Sequence, residues 1–299
     1  MGYSPPKVDE ASYSPGNSAF GHSRGLDLRV DLPESTDKVH GVDLTHIIHT
    51  HDVGHAKGGG GGGGGGGTGS TFAPYTSGSA DGSGYNITIS FNGTWTQELH
   101  DVFVQAANYL TSFIAGDLPN VSVRSKGKTT TVDDITISAE LGAIDGVGNV
   151  LGQAGPTSVR TGSNLPATAQ MQFDIADVTD MGVSVFSEVV LHEMSHSLGF
   201  GSIWDRLGLV SNGNYTGAAA NDAFHRLGGT GSIQVEQDGG AGTAGSHWDE
   251  ELYNNELMTG YINDGNNYFS EMSVAAFKDL GYTLRTDYLA FAEQGYQLV

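Results

Sequence analysis

Ser187 to Trp204 reads SEVVLHEMSHSLGFGSIW, and within it two histidines, His192 and His196, stand four residues apart in a run that is otherwise almost wholly apolar. At about 100° per residue, Val185, Val189, His192 and His196 share one stripe of a helix, while Phe186, Val190, Met194 and Leu198 share a second. Only a thin polar line around Ser184, Glu188 and Ser195 is left, so 184–198 is predicted to be a central, mostly buried helix. Two imidazoles one turn apart on one face have the separation needed to reach a single tetrahedral Zn2+ at about 2.0–2.1 Å. Glu193, next to the first of them, is angled to contact a water on that metal. The bland alternative is a pair of ordinary core histidines; chance produces H-E-x-x-H in a chain of this length on the order of one per cent of the time. Gly199, three residues after His196, supports the metal reading, because glycine can end the helix with a left-handed turn.

H-E-x-x-H-x-x-G opens the metzincin signature, which closes with a third histidine three residues beyond the glycine. Here that residue is Ser202. The chain has no cysteine, so histidine and carboxylate are the only strong metal ligands it offers. Two histidines lie downstream, His225 and His247. His225, in AANDAFHRLGG, falls in a short helix and reads as a surface or core histidine. His247 opens HWDEELYNNELMTGY, and Met258 follows it by eleven residues in a tight, glycine-containing segment similar to a Met-turn.

Elsewhere the chain divides into an irregular N-terminal part and a globular remainder. Residues 1–70 are rich in Pro, Gly, Ser, His and Asp, include His40, His46, His49, His51 and His55, and end in ten consecutive glycines, Gly58 to Gly67. They are expected to be a disordered, solvated tail with a glycine linker. Residues 71–299 are read as one catalytic domain, 71–204 carrying the helix just described and 205–299 forming a second subdomain. Tyr85–Phe91, Val132–Ser138 and Ala169–Ile175 alternate as strands. Thr94 with Gln97 forms a capping-box pattern ahead of Leu99, Val102, Phe103, Ala106, Leu110 and Phe113 at helical spacing. DGVGNVLGQAGP between the strands fits no phosphate-binding motif and reads as a structural loop. A final helix is expected from Ser270, carrying Val274, Phe277 and Leu280 to a stop at Gly281.

HEMSHSLGFGSIW, an insertion, SHW, NELMTGY and the closing FKDLGYTL together resemble the leishmanolysin family of zinc metallopeptidases, particularly its bacterial relatives. The similarity also takes in FIAGDLPNV, VDDITI, AIDGVGNVLGQAGPTSVR and AQMQFD, about residues 85–283. It implies an α+β fold of the metzincin-like zincin type: a twisted, mixed but mainly parallel sheet, two long helices of which one carries H-E-x-x-H, and a smaller loop-rich C-terminal subdomain. It implies one catalytic Zn2+ held by His192, His196 and His247, with Glu193 catalytic and Gly199 and Met258 structural near the site. Tyr261, three residues after Met258, has the wrong spacing for an extra ligand. The strand Ala169–Ile175 is expected by fold analogy to lie along the cleft and pair with an extended peptide.

The implied activity is endopeptidase cleavage of protein or peptide substrates by a metal-activated water with a glutamate base; the alternative is a zinc-fold adhesion or binding protein without catalysis. Structural Ca2+ is possible, as acidity and the turn NDGNN suggest, but no EF-hand or glycine-aspartate repeat supports it. A formal charge of −21 argues against nucleic-acid partners and anionic membranes. No run of 18 apolar residues forms a membrane span, and the first thirty residues contain no signal h-region. The resemblance implies a secreted or surface protein, and an acidic, cysteine-free chain suits export by a route needing no signal peptide, with a cytoplasmic location the other option; a monomer is expected.

Overall fold

The computed structural model describes residues 26–27, 72–79, 81–125, 127–148, 150–240 and 242–298. The expected tail lies outside these apart from a two-residue strand, β1 (Leu26–Asp27), which pairs antiparallel with Tyr261–Ile262. The first half of the globular part holds β2 (Tyr75–Thr76), β3 (Ile87–Asn92), α1 (Gln97–Phe113), a hairpin of β4 (Val121–Ser125) and β5 (Lys128–Val132), then β6 (Ile135–Gly142), β7 (Gly152–Val159), β8 (Pro166–Asp174) and α2 (Ile175–Ser197). Five of the strands form one sheet in the order β2-β3-β6-β8-β7. β3, β6 and β8 run parallel, and the two outer strands run antiparallel to their neighbours. The sheet is thus mixed, as expected, with antiparallel strands at both edges.

A parallel pair cannot be joined by a tight turn, and the crossover from β3 towards β6 carries α1. Val102, Phe103, Ala106, Ala107, Leu110 and Phe113 are its buried face. Phe103 sits at the junction of both layers, its ring edge-on to Phe91, Trp95, Phe173 and Phe186 at 5.1–6.0 Å. The helix is capped by Thr96, whose hydroxyl accepts from the Leu99 amide, and not by Thr94. Trp95 explains the shift: its indole donates to the Asn92 carbonyl and its ring packs on Phe91 and Phe103, which keeps Thr94 and Trp95 in the turn.

Two further departures concern the sheet and the central helix. β8, the strand expected to be open to an extended peptide, is hydrogen-bonded on both sides, to β6 and to β7. The edge on that side of the sheet is β7, GQAGPTSV, whose glycines and proline read as loop. An edge strand tolerates Pro156, because one side of it needs no ladder bond, and the register shifts just beyond it at a bulge between Pro156 and Ser158. α2 starts earlier than the amphipathic pattern, at an Asp174 cap, and is broken at Gly182 (φ 77°, ψ 166°). Beyond the break every residue from Phe186 to Ser197 is buried, including Glu188 and Ser195 on the line expected to be polar.

The second half holds only short elements: α3 (Trp204–Leu207), the hairpin β9 (Val210–Ser211) and β10 (Asn214–Tyr215), α4 (Ala218–Arg226), α5 (Glu250–Tyr253), β11 (Tyr261–Ile262), α6 (Glu271–Leu280) and a 3-10 turn over Tyr288–Phe291. α6 has the expected bounds, with Ser270 at its start and Gly281 at φ 106° after its end. Trp248 anchors the loops: its ring lies within 5.1 Å of Phe200, Trp204 and Tyr215, and its indole donates to Ser273 Oγ.

Candidate metal centre

His192 and His196 project from α2, and the loop that follows the long insertion places His247 against them. Their Nε2 atoms are 2.8 Å apart between His192 and His196 and 3.1 Å from each to His247. All three side chains are fully buried. Each Nδ1 faces a backbone carbonyl: His192 that of Leu257 at 2.8 Å, His196 that of Phe200 at 3.0 Å, His247 that of Thr243 at 3.0 Å. A carbonyl only accepts, so each Nδ1 carries the hydrogen and each Nε2 presents a bare lone pair. Three lone pairs converging without a proton among them repel unless a cation lies between. Ligands on one tetrahedral zinc would stand about 3.3 Å apart, given zinc–nitrogen distances of about 2.0–2.1 Å. The donor set therefore fits Zn2+. Burial pushes the imidazole pKa values well down for His192 and His196, with His247 adding to the effect, and lowers that of His247 to about 4. Neutral imidazole is the form that binds metal.

Glu193 follows His192 and is also fully buried. Neither carboxylate oxygen meets a hydrogen-bond donor, and burial raises its pKa well above the ordinary value. Gly152, the first residue of β7, leaves it room: a Cβ there would stand 3.2 Å from Glu193 Cγ and 3.1 Å from the Phe173 ring. A buried carboxylate with two free acceptors suits a proton-bearing ligand of the metal.

Backbone geometry explains how the three histidines meet. Gly199, at φ 115°, lets the chain reverse at the end of α2, which turns the Phe200 carbonyl back onto His196 Nδ1. Ser202, where the short-spaced motif would have its third histidine, is buried, and the insertion leaves here. It returns beside Gly201, where a Cβ would lie 2.1 Å from the Ser246 carbonyl oxygen. His247 follows at once. His225, by contrast, is exposed on α4, its Nε2 bonded to the Gly231 carbonyl at 2.6 Å, and is not part of the cluster.

Met258 is fully buried in a turn organised by Glu256, a residue that motif reading missed. The Glu256 carboxylate accepts from the Met258 and Ser270 amides and from the hydroxyls of Ser270 and Ser273. That turn presents the Leu257 carbonyl to His192 and the Met258 carbonyl to the Trp248 amide. Behind α2, Asn267 of the NDGNN turn donates to Glu188 at 2.8 Å. The turn is thus tied to the helix, and none of the potential metal-binding groups among the described residues includes Asp264.

The leishmanolysin family model matches residues 132–293, more than half of the chain. The chain belongs to the leishmanolysin family. It is 30% identical over 132 residues to leishmanolysin of Leishmania donovani, a match covering 39% of this chain and 22% of that protein. It is 26% identical over 139 residues to a leishmanolysin homolog of Crithidia fasciculata, covering 39% and 20%, and 28% identical over 132 residues to leishmanolysin of Leishmania major, covering 39% and 22%. The matched segment thus spans about a fifth of these curated relatives. The family is one of zinc-dependent metallopeptidases, and the described residues include a histidine triad able to hold a metal ion. No helix among the described residues is long and apolar enough to cross a membrane.

Proposed function

We propose that this chain is a zinc-dependent endopeptidase in which His192, His196 and His247 hold the metal and Glu193 is the general base. The observation that carries the proposal is the convergence of three Nε2 lone pairs, each enforced by an Nδ1–H bond to a carbonyl, beside a buried carboxylate with no partner. Zinc, when bound, supplies Lewis-acid chemistry, polarising the scissile carbonyl and making water a nucleophile near neutral pH. Glu193 takes the proton of the attacking water on a carboxylate oxygen and passes it to the departing amine nitrogen. The carbonyls of Leu257, Phe200 and Thr243 keep the imidazoles in one tautomer and one orientation. Substrate binding falls to β7, whose outer edge can add an extended peptide as a further strand. Protein or peptide substrates, a monomeric state and secretion belong to this reading.

Glu193→Ala tests it against the rival, a zinc-fold binding or adhesion protein. The variant is expected to keep about one zinc per chain and to lose nearly all hydrolysis of a casein substrate, since it spares the ligands and removes the base. Zinc and activity both retained would exclude Glu193 as the base, and a zinc-loaded parent inactive on peptides would favour the binding protein.

A further inference from the structure

A second group of ligand-type side chains lies at the other end of α2. Carboxylate oxygens of Asp145, Asp174 and Asp177 come within 4.8 Å of one another. Asp174 caps the helix and Asp177 stands one turn in, while Asp145 belongs to the loop between β6 and β7. The loop wraps the helix start: the amides of Ile144, Asp145 and Gly146 donate to Asp174 Oδ2, and that of Gly148 donates to Asp177 Oδ1. Burial opposes ionisation of Asp174, but these amides and that of Ala176 outweigh it and hold its pKa at about 2. Asp177 is 3% exposed, and its Oδ2 is buried with no hydrogen-bond partner.

An orphaned carboxylate oxygen in a cluster of three acids is an uncompensated charge. No lysine or arginine occurs anywhere in 129–159 or 161–205, the two segments that build the cluster, and no ion pair among the described residues reaches these three carboxylates. We propose that Asp145, Asp174 and Asp177 form a site for a calcium-class divalent cation that ties the loop segment 143–148 to the start of the active-site helix. The donor set is all oxygen, which favours a hard cation over zinc. Two ligands of one Ca2+ at 2.3–2.6 Å stand at most about 5 Å apart, and the observed separations fall within that limit. Mg2+, which demands near-octahedral ligands at shorter range, fits three carboxylates of unequal depth less well. The loop runs directly into Gly152, which packs on Glu193, so the cation would brace one wall of the catalytic residue from outside.

The test is a calorimetric titration of the full-length, zinc-loaded protein, dialysed free of calcium, with CaCl2 and separately with MgCl2, together with melting temperatures in each ion. One Ca2+ per chain is expected, with a Kd on the order of 0.1–1 mM, a rise in melting temperature and weaker binding of Mg2+. Asp145→Asn, at an exposed loop position, and Asp177→Asn, which keeps the side-chain shape, should each weaken Ca2+ at least about tenfold. Their calcium-free melting temperatures should stay at or above the parent's, because each removes a repelling charge, and this establishes that they fold. Asp133→Asn, in the separate group Asp117, Asp133 and Asp134, should change nothing. Absence of saturable binding by the parent, or binding lost in Asp133→Asn and kept in the other two, would overturn the proposal.

Discussion

The two sides of the histidine triad are built by opposite means. His192 and His196 come from one buried helix whose period alone puts their rings on the same face, and their spacing would survive in an isolated helix. His247 comes from a loop held by tertiary contacts: the Thr243 carbonyl on its Nδ1, the Ser246 carbonyl against Gly201, and the Trp248 ring packed against Phe200 and Trp204. The first side is a local structure that tertiary packing has buried; the second exists only once the fold has closed. Substitutions that leave the helix intact should therefore still disable the site when they strike the loops.

The largest effect is expected from Glu256, which supports the turn from which His192 receives its carbonyl partner. Glu256→Ala leaves four donors without an acceptor, at about 1–3 kcal/mol for each unsatisfied group, so a loss of at least about 3 kcal/mol is expected in denaturant unfolding, with zinc affinity falling alongside. Unchanged stability would show that the turn stands without its buried carboxylate. Gly201→Ala comes next. Its φ of 77° and the Ser246 carbonyl in the way of a Cβ predict a cost of about 2–3 kcal/mol, and because Ser246 precedes His247 the variant should bind zinc more weakly even where it folds. Wild-type zinc affinity in a stably folded Gly201→Ala protein would contradict the close return of the insertion.

Glu188 sharpens the comparison from the helix side. Burial, only partly offset by the Asn267 amide, raises its carboxyl pKa from 4.5 to about 7. The folded state thus holds a proton that the unfolded state releases, and stability falls as pH rises from about 4.5 through 7. At the upper end the penalty reaches at most about 3 kcal/mol. Glu188→Gln should remove this slope, gaining most over the parent near pH 8 and least near pH 5; a gain that does not grow with pH would contradict the assignment. The smallest change in stability belongs to Gly152→Ala, about 1 kcal/mol or less, since the contacts at 3.1–3.2 Å can be relieved by small side-chain shifts. One of those shifts is of Glu193, so peptide hydrolysis should drop well beyond what the change in melting temperature accounts for.

What could be read from the sequence follows the same division. The apolar periodicity of 184–198, the helix over 271–280 and the strands at Ile87, Ile135 and Ala169 were legible, because burial imposes a period on neighbouring residues. β7 was not: Gly152, Gly155 and Pro156 are poor strand formers, accepted at an open edge by tertiary context. Its presence displaced the expected peptide-pairing edge from β8. Glu256 was invisible for a similar reason, since its partners Ser270 and Ser273 lie on the next helix and no spacing rule connects them. Residue counting left His225 and His247 as candidates and resemblance to a family selected His247, but its meeting with α2 depends on Gly201 admitting the chain some 45 residues later, a feature no local pattern records.

The assignment of His247 over His225 as the third ligand is the point on which the account rests, and zinc affinity measured by competition with a chromogenic chelator tests it directly. His247→Ala should weaken zinc by more than the ~10–100-fold typical of losing a supporting partner, and His225→Ala, on the exposed face of α4, should leave affinity and stoichiometry unchanged. Tight zinc binding retained in His247→Ala, or lost in His225→Ala, would contradict it.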